Sequence, residues 1–443
     1  MIFKVRNGLF CYGSYWDTDM SIESNLPPAV GTLAEYTEAP FERRTEWATE
    51  GDVVRITGEE ADHHMAVHPD HVGEVLFDTE RFTRLDTFTS VFGQGVLTVS
   101  GDQWRAQRGA IQPAFVPQKI QSYAGEMRDI VRGVTADIED GETLDVRALF
   151  SDLTMEVMLE TLFGGSEGKK ETISEAAEQI TEWFFESATA GEVPPEVQDG
   201  LDSGLDELTA LIDEMVARRD GSEDGDLLSM LIALGANSDP EYTEDRIRDE
   251  MITMLFAAHE TTALTLTYAS YLLADAPEVE RRLLGELDEV VAETVPEPSD
   301  LDELTYTEHV IDEALRMYCP AHALFRVPTE DVTLDGYTVP AGDVIHLPQW
   351  VVHRDDRWWD DPTTFRPERF EGETERPSYA FFPFGVGPRR CLGEDFARAE
   401  AKMALAGLVN EFSFDRVTQE FDMYASLTAV PDRPIELTAT ARR

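Results

Sequence analysis

Phe384-Gly385-Val386-Gly387-Pro388-Arg389-Arg390-Cys391-Leu392-Gly393 is a stretch suited to presenting one thiolate. A free cysteine titrates near ~8.5, so holding it ionised takes positive charge, backbone N–H donors or a metal close to the sulfur. Gly387 and Gly393 let the backbone approach a flat ligand, Arg389 can neutralise a carboxylate on that ligand, and Phe384 can stack beside the sulfur and shield it from water. The bland alternative is a Gly-rich turn leading into a helix, with an inert buried cysteine. The rest of the chain weighs between the two.

Upstream, the segment from Tyr242 to Ala276 holds neither Gly nor Pro, and Thr243 followed by Glu244 and Asp245 reads as an N-cap and first turn. Such a helix would run roughly 50 Å. Its middle, Met251 to Ala258, is almost entirely apolar, then His259-Glu260-Thr261-Thr262 interrupts. A carboxylate in a helix that is apolar all round has to be hydrogen-bonded, protonated or functional. The hydroxyls of Thr261 and Thr262 can instead bond back to their own helix carbonyls.

Three further patterns are weak alone. His309 to Met317 has helical periodicity with Glu313 and Arg316 three apart, a spacing that mostly marks solvated surface pairs. Phe365-Arg366-Pro367-Glu368-Arg369-Phe370 adds Arg369, which makes a charge triad conceivable. Trp104-Arg105-Ala106-Gln107-Arg108 puts Trp104 and Arg108 on one helix face, with Trp104 equally able to serve as core filler.

Taken in order, these motifs resemble the cytochrome P450 family. The loop matches F-x-x-G-x-R-x-C-x-G, which chance would produce in about one in ten thousand chains of this length. The resemblance implies a mainly α fold with a smaller β-rich region (α+β), the cofactor lying between the long central helix and the helix after the cysteine loop. It implies haem b (iron protoporphyrin IX), with Cys391 as axial thiolate. Phe384, Gly387 and Gly393 would shape the loop, and Trp104, Arg108, Arg326 and Arg389 would serve the haem propionates. Glu260 and Thr261 would be the acid and alcohol that relay the two protons consumed in cleaving dioxygen. Ala258 departs from the family's usual glycine and adds a methyl near the presumed oxygen pocket. Glu313, Arg316 and Arg369 would be a structural triad pinning the segment that leads to Cys391. Phe88, Val91, Phe92, Ala257, Ala323 and Leu324 are candidate pocket walls, or ordinary core.

The implied activity is oxygenation of an apolar organic substrate by a haem-thiolate monooxygenase. Electrons would come from a ferredoxin-type donor with its reductase, steered to a relatively basic island of Arg389, Arg390, Arg398 and Lys402. A peroxide-driven haem oxygenase and a non-catalytic haem-thiolate sensor are the alternatives, and neither needs the relay of Glu260 and Thr261.

Composition bounds the setting. The 443 residues carry 36 Lys plus Arg against 88 Asp plus Glu, a formal net charge of -52. Repulsion on that scale is tolerable mainly where salt screens it, the Debye length falling to about 3 Å at 1 M. We therefore expect a cytoplasmic protein of a salt-accumulating halophile, a monomer that binds neither nucleic acid nor anionic membrane. The non-apolar stretch Glu186 to Glu196, in the place of the access loop of membrane-bound relatives, and the lack of an N-terminal anchor agree with this. Three cysteines, Cys11, Cys319 and Cys391, offer no disulfide framework. His63, His64, His68 and His71 cluster but read as solvated surface rather than a metal site. Residues 1–30 read as an unmatched leader, with Met20 a candidate natural start, and 31–443 as a single domain.

Overall fold

The central helix runs Glu244–Leu273 in a computed structural model that describes residues 25–442, apart from 87, 166–167, 190–192, 220–224, 237–241 and 373–374. Cys11, Met20 and part of the expected access loop lie outside the described residues. Thr243 caps the helix by accepting the Arg246 N–H, and Glu244 and Asp245 occupy the first turn, where the N-terminal partial charge favours anions. Pro277 opens the next helix, Pro277–Val290, and cannot extend the previous one. Thirty residues make a rod of roughly 45 Å. It is buried along most of its length because the helices Val146–Leu162, Thr305–Met317 and Glu394–Glu411 pack against it. Its threonines satisfy their hydroxyls on the carbonyl one turn back, as in Thr253 to Asp249 and Thr267 to Ala263.

The smaller β region centres on a six-stranded sheet. Its order is Ala29–Thr32, Val53–Thr57, His63–Ala66, Val344–Leu347, Leu324–Pro328, Phe82–Thr83. Parallel and antiparallel pairings mix, so strands far apart in sequence become neighbours: Arg326 pairs with Ile345, and Phe82 with Pro328. Residues within the stretch read as a leader take part, since Ala29–Thr32 is the edge strand and Asn25 donates to the Gly336 carbonyl at 2.9 Å. Gly336 and Asp335, with φ of 78° and 51°, turn the hairpin Val332–Leu334/Tyr337–Val339.

One expectation fails here. His63 and His64 are buried in the sheet, not solvated: His63 Nδ1 lies 2.6 Å from His346 Nε2, and His64 Nε2 lies 2.8 Å from Asp343. Alternation in a strand covered on both faces hides every side chain, which composition alone does not reveal.

Candidate functional site

The cysteine loop is fixed by a backbone bond from Cys391 N–H to the Phe384 carbonyl at 2.8 Å. Gly387 is demanded by packing as well as by conformation. Its φ is 75°, and a side chain there would meet the Leu76 carbonyl at 2.6 Å. A Cβ at Gly393 would sit 3.7 Å from Phe115, and one at Gly385 would sit 3.4 Å from Leu324. Phe384 lies under the Arg398 guanidinium, 5.0 Å from ring centroid.

Cys391 combines two properties that seldom coincide. It is exposed, yet desolvation by surrounding protein raises its thiol pKa, against the lowering effects of the Gly393 N–H, Arg108 and Arg390. An accessible thiol with dense protein around it suits a recess better than the open surface. The central helix repeats the pattern: Ala257 is exposed and Ala258, Glu260 and Thr261 are half-buried, between the buried runs Met251–Phe256 and Thr262–Leu273.

Four guanidiniums converge beside the loop. Arg389 donates to the Val99 carbonyl at 2.9 Å and lies over the Trp104 ring at 4.5 Å, while its Nη1 is buried without a partner. Arg108 lies 5.8 Å from the same ring. Arg326 turns one nitrogen onto the Phe325 carbonyl. Arg84, which sequence reasoning missed, completes the group. Desolvation pushes Arg84 down to about 9 and Arg326 to about 10, and the neighbouring arginines add repulsion. Arg389 is likewise pushed down to about 10 by desolvation and by Arg108. Among the described residues no carboxylate forms an ion pair with any of the four. The cluster fits a ligand that brings its own carboxylates, and the accessible thiolate donor fits a metal on that ligand. Haem has both features. Nothing near Arg84 in sequence marks it, because only the pairing of Phe82–Thr83 with Leu324–Pro328 carries it to Arg326.

Glu260 lies 3.8 Å from Arg147 in the first turn of Val146–Leu162. Burial raises its pKa, while Arg147 and the Thr428 hydroxyl lower it. The Thr261 hydroxyl donates to the Ala257 carbonyl at 3.0 Å, leaving its lone pairs free to accept. Glu400 on the cysteine helix is a fully buried carboxyl against Thr262, raised well above its ordinary value by desolvation.

Behind the loop the triad is closed. Arg316 bonds Glu313 through Nε at 2.7 Å and Nη2 at 2.9 Å, Arg369 Nε meets the same carboxylate at 2.9 Å, and both Glu313 and Arg316 are fully buried. The Arg366 backbone N–H adds a bond to Glu313, and Arg316 also holds the His353 carbonyl.

The candidate pocket walls divide, and one other expectation needs correction. Val91 and Phe92 follow the core alternative: Phe92 is fully buried, packed against Phe184 and Phe256 at 5.9 and 5.5 Å, while Phe88, Ala323 and Leu324 are half-buried. The basic island is also largely neutralised. Lys402 is buried, bonded to Glu308 and the Leu301 carbonyl, and Arg398 is paired with Asp312, Glu308 and Glu394. Sequence shows which charges are neighbours along a helix, but not the Thr305–Met317 helix that brings Glu308 and Asp312 to them.

The cytochrome P450 family model matches residues 24–439, and the chain belongs to that family. It is similar to cyclooctat-9-en-7-ol 5-monooxygenase of Streptomyces melanosporofaciens, 32% identical over 404 residues covering 87% of each chain. Pentalenene oxygenase of Streptomyces avermitilis is 29% identical over 94% of this chain and 96% of its own. Cytokinin hydroxylase of Arabidopsis thaliana is 32% identical over 73% of this chain and 66% of its own. The chain is thus a cytochrome P450 monooxygenase, of a family whose cofactor is haem iron. Among the described residues no helix is long and apolar enough to cross a membrane.

Proposed function

We propose that this enzyme oxidises an apolar, terpenoid-like substrate, using haem b held by Cys391 and electrons from a separate ferredoxin-type donor with its reductase. The observation that carries the reading is Cys391 itself, accessible yet desolvated, beside four arginines that form no ion pair with a carboxylate among the described residues. Arg84, Arg326 and Arg389 would take the propionates together with Trp104 and Arg108, and Arg108 and the Gly393 N–H would favour the thiolate form of Cys391. When bound, the haem supplies dioxygen activation. Glu260 would supply protons, and the Thr261 hydroxyl, committed as donor to the Ala257 carbonyl, would be left to accept from a water on the relay. Phe88, Ala257, Ala323 and Leu324 would contact the substrate, and two relatives named for oxidising cyclooctat-9-en-7-ol and pentalenene support an apolar one.

The test is Cys391→Ser in the haem-loaded protein, which should lose the red-shifted carbon monoxide band of thiolate ligation. An unchanged band overturns the reading. Turnover with NAD(P)H, reductase and ferredoxin, set against turnover with peroxide alone, separates a monooxygenase from a peroxide-driven oxygenase or a sensor. Type I spectral titration with fatty acids, terpenoids and carotenoid-like lipids identifies the substrate class.

For donor docking, Arg390 and Arg105 remain exposed although each meets one carboxylate, Glu394 and Asp102, whereas Arg398 and Lys402 are largely buried in their ion pairs. Reversing both charges should slow ferredoxin-dependent reduction at low salt, and an unchanged rate removes this surface from the route. The net charge of -52 supports residence in a salt-accumulating cytoplasm. There the unfolding midpoint should climb between low and multimolar KCl, and a flat midpoint would rule the setting out.

A further inference from the structure

Four residues of the central helix, Arg246, Asp249, Glu250 and Thr253, recur at three- and four-residue spacing and so share one face. Against that face lies the segment Gly93-Gln94-Gly95-Val96, between the helix Thr89–Phe92 and the helix Gly101–Ile111 that carries Trp104 and Arg108. Asp249 accepts the Gln94 N–H at 2.7 Å, Glu250 accepts the Val96 N–H at 2.8 Å, and Arg246 donates to the Gln94 carbonyl at 3.0 Å. The approach is close enough to require both glycines. A Cβ at Gly93 would overlap the Asp249 carboxylate, and one at Gly95 the Thr253 hydroxyl.

The segment is tied together as a strap. The Thr98 hydroxyl donates to the Gly93 and Gly95 carbonyls at 2.8 and 2.9 Å, and the Thr98 and Val99 N–H groups return to the Gly95 carbonyl at 2.9 and 3.3 Å. At its far end the Val99 carbonyl and the Ser100 hydroxyl accept from the Arg389 guanidinium at 2.9 and 3.2 Å. Whatever loosens the strap on the central helix therefore reaches Arg389.

Glu250 is where this cluster is least well satisfied. It is fully buried, and among the described residues its Oε1 meets no donor. Gln107 gives its side-chain N–H to the Gln94 carbonyl at 3.0 Å, and its own buried Oε1 also meets no donor. Two orphaned acceptors in one cluster are costly while Glu250 is ionised, and a proton on Glu250 turns one of them into a donor. The groups facing Glu250 are the Val96 N–H from the strap, Arg246 and Asp249 from its own helix, and Gln107 from Gly101–Ile111. Burial outweighs the help of Val96 and Arg246, Asp249 adds repulsion, and the pKa is pushed up to about 7.

We propose that the strap is a clasp closed by protonated Glu250, which makes Glu250 a positioning residue for Arg389. The second half rests on the reading of Arg389 as a propionate ligand, and the clasp itself does not. Lifting the strap would hydrate the carboxyl and return it toward the ordinary 4.5, so the closed form holds the proton more tightly. Opening is therefore suppressed in acid, grows as pH rises from about 4.5, and levels above about 7.

Hydrogen exchange of the haem-loaded protein, corrected for the intrinsic rate, reads opening in the peptide spanning residues 93–99. In the wild type, opening should grow by up to about tenfold per pH unit toward pH 7 and then level. Glu250→Gln, whose amide can accept from Val96 and still offer a donor, should stay closed and flat. Exchange in Thr305–Met317 should not follow the strap, which separates a local clasp from global unfolding. A wild-type strap that is level over this range, or that only follows Thr305–Met317, overturns the proposal, and so does a Gln variant with the wild-type profile. Should the variant not fold, the wild-type comparison decides alone. Haem transfer to apomyoglobin tests the link to Arg389, and should quicken over the same range in the wild type but not in Glu250→Gln. Opening without faster transfer overturns the positioning role and leaves the clasp standing.

Discussion

Two sets of arginines flank the cysteine loop, and they are balanced in different ways. Arg316 and Arg369 share the Glu313 carboxylate, with backbone N–H and carbonyl groups completing the shell. Arg84, Arg108, Arg326 and Arg389 repel one another, lean on carbonyls and an indole, and form no ion pair with a carboxylate of the described chain. The first set closes within the fold and serves the fold. The second meets no carboxylate among the described residues, and under the proposed reading its charges would serve the propionates of a bound haem at the expense of the polypeptide's own stability.

Opposite responses to mutation would establish the contrast. Glu313→Ala leaves two buried guanidiniums uncompensated and should cost about 3–5 kcal/mol, seen as a lower denaturant midpoint or as failure to accumulate folded protein. Unchanged stability would erase the distinction. Arg84→Gln should act with the other sign on the haem-free protein, raising its midpoint by relieving repulsion. The same change should weaken haem retention, measured by transfer to apomyoglobin, by about 1.5–3 kcal/mol for the lost charged hydrogen bond. A variant destabilised in both forms would place Arg84 with the structural set.

A buried anion offers the complementary case. Glu250 on the central helix accepts the Val96 N–H at 2.8 Å, and burial pushes its pKa up to about 7. Its folded value exceeds its unfolded one, so its contribution is fully present below the ordinary carboxylate range and is lost as pH rises through about 7. Glu250→Gln should flatten the stability profile between roughly pH 4.5 and 7, a gain of the order of 1–3 kcal/mol at the alkaline end. A profile unchanged by the substitution would assign the slope to other groups. Mildest should be Lys402→Met, about 1–2 kcal/mol in stability for the buried ammonium's bonds to the Leu301 carbonyl and the part-exposed Glu308, with donor-dependent reduction unchanged because those bonds already hold the charge.

The legible parts of the molecule share a cause. Strong local rules mark the central helix: no Gly or Pro for a whole span, a Thr cap and acidic first turn, and the helix begins where the cap says. The hairpin at Asp335-Gly336 is equally local, because two consecutive left-handed residues suit little else. Val91 and Phe92 were illegible for the opposite reason. An apolar residue near a pocket and one in the core have the same composition, and only the approach of Phe184 and Phe256 decides. The basic island misled because charge counted along one helix ignores the helix packed on it. Gly387 was legible as essential but not in its reason, which is the Leu76 carbonyl pressed against it.

The amino-acid order by itself determined the cysteine loop, the long central helix and the Glu313/Arg316 pairing, since each depends on residues within a few turns of one another, and the order of such local motifs along the chain marked the family. Tertiary structure alone decided that Arg84 joins Arg326 and Arg389, that His63 and His64 are buried, and that Arg398 and Lys402 are neutralised. All of these are contacts between segments distant in sequence. Their energies come from burial and from charges brought together by packing, and no window of sequence contains both partners.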